Sequence, residues 1–212
     1  MFNARIPKLN PTTVEFNGET CGATPDTDGP IGGGVGYHNI LASTPPIKTL
    51  NSLLDALTQA KSGDVIFIHP RARIDCTERV YIEELVLEIP AGITLASNRG
   101  QNGSPGGMIF SDTFKTRPLI RIRGPNIRIT GLRIRGPNPK TCLEHHRRSF
   151  AEGRGHEYYY KFPTSDGVLA EHDHLEVDNC ELAGWSHAAI SLPKAKITTF
   201  TTTSSTTIST MV

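Results

Sequence analysis

Apolar residues alternate with polar ones in short blocks along this chain, and one block returns 48 residues later. The first runs Ile127-Arg128-Ile129-Thr130-Gly131-Leu132-Arg133-Ile134-Arg135-Gly136. The second runs Leu175-Glu176-Val177-Asp178-Asn179-Cys180-Glu181-Leu182-Ala183-Gly184. Apolar positions coincide at 127 and 175, 129 and 177, 132 and 180, and 134 and 182. The small corner residues Gly131 and Asn179 coincide as well, and so do the closing glycines Gly136 and Gly184. Alternation of period two buries one face of each short strand. A corner of one or two residues turns the chain without reversing it into a hairpin, as in the coil of a solenoid. The pattern predicts a parallel β-helix.

The rest of the chain divides around this block. Residues 1–48 are rich in Gly, Pro, Thr and Asn, and Asp28-Gly29-Pro30-Ile31-Gly32-Gly33-Gly34-Val35-Gly36 has no period; an irregular N-terminal arm is expected. Leu50, Leu53, Leu54, Leu57 and Ala60 keep helical spacing, which predicts one helix over 50–60 with Thr49 or Asn51 as N-cap and Gly63 beyond its end. Strands are expected at Asp64–Ile68, Val80–Ile82, Leu85–Ile89, Ile93–Leu95, Met108–Phe110 and Leu119–Ile122. The segment 137–165 is polar, basic and aromatic, and reads as a loop inserted on one side of the solenoid. The β-helix domain spans 49–193 on this reading.

The tail 194–212 is Thr-rich and lacks both alternation and corner glycines. Disorder is one expectation for it. A frameshift near Pro193-Lys194 is the other. With allowed codons, the bases read from the third position of the Ala195 codon encode Asn/His corners around single apolar residues, as further coils would require. The chain is then an N-terminal fragment, prone to aggregate and monomeric only at full length.

Composition narrows the class. The net charge of +1 gives no reason to expect nucleic acid, and no apolar run is long enough for a membrane span. The first thirteen residues carry no apolar secretory core. Cys21, Cys76, Cys142 and Cys180 form no CxxC pair, so buried or free thiols are expected rather than a metal centre, with Cys180 in the core.

Several stretches resemble the N-terminal part of pectate-lyase-like proteins of the pectin lyase fold. They are Gly32–Gly36, Leu50–Leu57, Gly63–Ile68, Ile89-Pro90-Ala91-Gly92-Ile93-Thr94-Leu95 and the block at 127–136. The likeness covers about residues 28–192. It implies an all-β, right-handed parallel β-helix with one N-terminal capping α-helix. It also implies an extracellular protein, although this chain shows no signal, and enzymes of the family act on acidic polysaccharides, often with calcium.

Candidate chemistry follows from placing Leu119–Arg123 on a first sheet, Ile127–Ile129 on a second and Leu132–Ile134 on a third. Arg121 and Arg123 then point outward from the first sheet, and Arg128, Arg133 and Arg135 from the others. An acidic polymer needs cations for its carboxylates, and β-elimination needs a base for the proton beside the carboxylate. Arg123, His172 and His187 are the catalytic candidates. Arg121, Tyr158, Tyr159 and Tyr160 are the substrate-binding ones, the rings by stacking on sugar faces. Each has a structural alternative: a solvated outer face for the arginines, corner residues for the histidines of Glu171-His172-Asp173-His174, and loop packing for the tyrosines. Asp166, Asp173 and Asp178 are the carboxylates open to a hydrolase, with nothing marking a pair. A lyase acting on an acidic polysaccharide therefore stands beside a non-catalytic glycan-binding or structural β-helix protein, and beside an inactive truncation.

Overall fold

A computed structural model describes residues 13–16, 19–22, 40–137, 143–193, 198–201 and 204–205. The strands are β1 (Thr13–Phe16), β2 (Glu19–Gly22), β3 (Val65–Phe67), β4 (Arg73–Asp75), β5 (Leu87–Ile89), β6 (Thr94–Ala96), β7 (Met108–Phe110) and β8 (Ile120–Ile122). They continue with β9 (Ile127–Thr130), β10 (Arg133–Arg135), β11 (Asp166–Ala170), β12 (Leu175–Asp178), β13 (Glu181–Ala183), β14 (Ala188–Ser191), β15 (Thr198–Thr201) and β16 (Ser204–Ser205). The helices are α1 (Leu50–Gln59), α2 (Thr77–Glu83), α3 (Leu143–Phe150) and α4 (Gly155–Tyr159).

From β3 onward every third strand pairs in parallel with its predecessor. The first sheet is β5-β8-β11-β14, the second β3-β6-β9-β12-β15 and the third β4-β7-β10-β13-β16. This is a parallel β-solenoid. Its register is the one the 48-residue repeat demands, with Ile127 beside Leu175, Ile129 beside Val177 and Ile134 beside Leu182. Like residues stack inside each sheet: Ile66, Leu95, Ile129 and Val177 in the second, and Ile74, Ile109, Ile134 and Leu182 in the third. All eight are buried. Each contributes about 1.5–3 kcal/mol by leaving water, so the core is one continuous apolar column.

Corners carry the constraint that keeps coils in step. Gly63, Gly92, Asn126 and His174 occupy the same place before successive second-sheet strands, with φ of 96°, 73°, 59° and 61°. Gly131 and Asn179 share the next corner at 67° and 49°. Gly, Asn and His tolerate this left-handed region better than branched residues do. His174 is therefore a corner residue. Cys180 lies in the core, where burial pushes its thiol up to about 12; the Cys76 thiol is likewise pushed up to about 12.

The connections from the third sheet to the first take most of the long excursions; the other is residues 97–107, between β6 and β7. In the first coil the third-to-first connection is α2, in the second residues 111–119, in the third the insertion, and in the fourth only 184–187. They stack into a wall. Lys115 Nζ lies 3.9 Å from the ring centre of Tyr81 on α2, and Phe114 meets Phe162 edge-on at 5.8 Å.

Several expectations change. Val80–Ile82 is not a strand but part of α2, where Val80 alone is buried and Ile82 is 69% exposed. The inserted loop 137–165 carries two short helices, α3 and α4. Four helices are described rather than one; α1 does begin at a Thr49–Ser52 capping box and buries Leu53 and Leu57 in the core. Within the stretch read as an irregular arm, β1 and β2 pair antiparallel; the Gly-rich run 28–36 lies outside the described residues, as does Cys142. The tail expectation falls mostly outside them too. Its described pieces, β15 and β16, pair in parallel with β12 and β13, which places Ser205 beside Leu182.

Trp185 ties the insertion to the solenoid. A methyl on Gly136, just before the insertion, would sit 2.6 Å from the indole Cε3, and one on Gly167, just after it, 2.9 Å from Cε2. Both ends of the insertion thus lie under one ring, 4% exposed, whose Nε1 has no hydrogen-bond partner among the described residues. Shape alone holds it, against a cost of about 1–3 kcal/mol for the unmet donor.

Two outcomes follow. Gly131→Ala would place Cβ 2.1 Å from the Ser97 carbonyl oxygen at a left-handed φ. It is expected to cost about 2 kcal/mol or more and to lower the melting temperature by about 4–8 °C. Gly63→Ala meets open space and carries only the backbone strain, so thermal melts showing equal losses for the two variants would contradict the stacked-corner account. Trp185→Ala should release the insertion, seen as faster tryptic cleavage at Arg147, Arg148 and Arg154 well below the melting temperature; unchanged cleavage would contradict the clamp.

Candidate functional site

Three consecutive coils each place one polar side chain at the start of the first sheet. The wall segments end here, and Arg117, Asp166 and His187 each come within three residues of β8, β11 and β14. Backbone bonds set their heights, since Asp166 N donates to Thr116 O at 3.0 Å and His187 N to Ser165 O at 3.1 Å. The side chains then meet. His187 Nδ1 lies 2.6 Å from Asp166 Oδ1, and Arg117 Nε lies 3.8 Å from the other carboxylate oxygen. An ionised carboxylate only accepts, so Nδ1 carries the proton, and in the neutral imidazole the lone pair is on Nε2. Asp166 is 17% exposed, His187 29% and Arg117 57%. The acid is sheltered, the imidazole is reachable from solvent, and the guanidinium has room for a second partner.

Beside this cluster the corner is stitched by serines. Ser186 Oγ donates to Pro163 O at 2.8 Å and accepts from Ser165 N at 2.8 Å. Trp185-Ser186-His187 therefore clamps the insertion with its first two residues and presents the imidazole with the third.

The remaining candidates lie elsewhere. Arg121 and Arg123 sit toward the far end of the first sheet, where Glu88 faces both, at 3.9 Å from Arg121 Nη1 and 2.5 Å from Arg123 Nη2. The hydrogen bond it donates to Glu88 holds the Arg123 guanidinium above its usual range. His172 is exposed two residues past β11. The strand alone puts about 13 Å between Asp166 and Ala170, so His172 and His187 do not share a centre. Arg128, Arg133 and Arg135 face outward from the other two sheets. Arg128 donates to Asp178, Arg133 to the Gly106 carbonyl and Arg135 to Glu181.

The tyrosines divide. Tyr158 stacks on His145 at 5.1 Å and Tyr159 packs on Phe150 at 5.3 Å, both within the insertion, whereas Tyr160 is 50% exposed. The carboxylates open to a hydrolase are scattered as well. Asp166 starts the first sheet, Asp173 lies in the corner before the second, and Asp178 is buried on the second against Arg128 and Thr130. Among the described residues no group of three or more His, Cys, Asp or Glu could hold a metal ion.

Arg117 was not among the candidates read from the sequence, and Asp166 was read only as an unpaired carboxylate. Their shared signal is position: each ends a wall segment just before an apolar first-sheet strand.

No family model, no curated protein and no solved structure matches the chain.

Proposed function

We propose that this solenoid is a right-handed parallel β-helix of the pectate-lyase-like kind and that it cleaves an acidic polysaccharide by β-elimination. The carrying observation is the contact between His187 Nδ1 and Asp166 at 2.6 Å with Arg117 on the other side of the carboxylate. Asp166 fixes the tautomer and stabilises the imidazolium that forms. His187 Nε2 removes the proton on the carbon beside the uronate carboxylate. The electron pair of that C–H bond becomes a C=C bond, and the neighbouring C–O bond to the next sugar breaks. The leaving oxygen takes a proton from solvent water and departs as an alcohol. Arg117 binds the substrate carboxylate through its free donors and stabilises the charge that builds up as the proton leaves. No step runs through calcium. The extracellular setting implied by the resemblance belongs to the same proposal, as does a monomeric full-length protein.

The non-catalytic glycan-binding reading draws on one observation: Glu88 already occupies Arg121 and Arg123, the cations expected to hold substrate.

The test is a polysaccharide panel followed by absorbance of the unsaturated product, on the chain as it stands and on the chain extended in the shifted frame. His187→Ala should lower kcat/KM by about 10²–10⁴-fold, and Asp166→Asn should lower kcat with little change in KM. New reducing ends without absorbance would make the protein a hydrolase. Neither signal on any polymer would favour the binding reading.

A further inference from the structure

Among the described residues the exposed large apolar side chains are Tyr81, Ile82, Phe150 and Tyr160, and the insertion carries two of the four. Those two belong to one surface. Phe150 lies 4.9 Å from His146 and 5.7 Å from His156, and His156 stacks on Tyr160 at 6.2 Å with an interplanar angle of 20°. Tyr159 backs them, 5.3 Å from both Phe150 and Tyr160. Two short helices thus spend four aromatic or imidazole rings on a face that the solenoid does not cover.

The rim is charged. Arg154, 53% exposed, sits over the ring of Tyr158 at 5.1 Å, and exposed Lys161 follows Tyr160 directly. The carboxylates Glu144 and Glu152 are engaged by Arg147, Arg148 and Arg154, while Glu157 on α4 is the third acid of the segment. His156 and Tyr160 are nearly parallel and Phe150 meets His156 edge-on at 81°, so the two parallel rings, with a cation beside them, suit a ligand ring that has an apolar face and carries an anion. A uronate has that form, with an apolar C–H face for the aromatic surface and a carboxylate for Lys161.

We infer that His156 and Tyr160, flanked edge-on by Phe150, form a sugar-stacking platform that binds the acidic polysaccharide on the insertion, apart from the His187 centre. It takes its substrate class from the proposed reaction but does not need the reaction to occur. Tyr160 keeps the stacking role expected for the tyrosine run. Tyr158 and Tyr159 support the platform from behind.

Native affinity electrophoresis of the full chain tests it, in gels holding polygalacturonate, alginate or neutral hydroxyethylcellulose. The wild type should be retarded in an acidic gel and not in the neutral one. Phe150→Ala/Tyr160→Ala should raise the apparent Kd about tenfold with an unchanged far-ultraviolet dichroism spectrum. His156→Ala, which removes the ring between them, should weaken retention by about threefold as a second check on the same surface. His187→Ala should be retarded like the wild type whether or not it has lost activity, which separates the platform from the elimination chemistry. Full retention by the double variant, equal retention in neutral and acidic gels, no retention of the wild type in any gel, or loss of retention in His187→Ala would each overturn the platform.

Discussion

Each strand of the solenoid hydrogen-bonds only to the strand one coil below and the strand one coil above. A segment's neighbours are therefore set by coil length. Steps between partners in the second sheet are 29, 34, 48 and 23 residues, from Ile66 through Leu95, Ile129 and Val177 to Phe200. The left-handed corner residues stay at fixed places next to the strands. Most of this variation goes into the connections between the third and first sheets, and the rest into residues 97–107, which join β6 to β7. One edge of a rigid stack thus receives α2, the 111–119 segment and the α3–α4 insertion. The residues that close each connection, Arg117, Asp166 and His187, arrive at one point although 49 and 21 positions separate them.

Electrostatics then sorts the outward faces. On the second sheet Arg128 and Asp178 pair at 2.7 Å, with Thr130 also bonding the nearly buried carboxylate. Such a pair has to satisfy its own desolvation, and it joins coils three and four where the repeat puts them in register. At the far end of the first sheet Glu88 takes up two arginines. At the near end Asp166 is shared between one imidazole and one loosely placed guanidinium, and that end keeps unspent donor and acceptor capacity.

The stacked architecture was legible because its constraint is periodic. Alternation fixed which residues of 127–134 and 175–182 face inward, and their coincidence gave the register to the residue. Helix α1 was legible from its leucine spacing and its threonine cap. Helix α2 was not, because Val80 and Ile82 imitate a strand, whereas in the fold the segment crosses from the third sheet to the first and only Val80 is buried. The same holds for the site. His187 could be singled out as an imidazole at the start of a strand, but its bond to Asp166 depends on how much chain the fourth coil spends on its third corner. Arg117 sits in a connection whose length has no period. The division among the tyrosines depends on how α3 and α4 pack, and a run of three identical residues carries no signal of which one faces water.

The central claim is the coil-on-coil register across the 48-residue step. Arg133 and Glu181 stand side by side on the outer face of the third sheet. Adjacent strands lie about 4.8 Å apart, which is within reach of a disulfide. Arg133→Cys/Glu181→Cys should oxidise to a cross-link joining those two peptides by mass spectrometry. The offset pair Arg135→Cys/Glu181→Cys, about 8 Å apart by the same spacings, should not. Equal cross-linking of both pairs, or cross-linking of the offset pair alone, would contradict the register and with it the convergence of Arg117, Asp166 and His187.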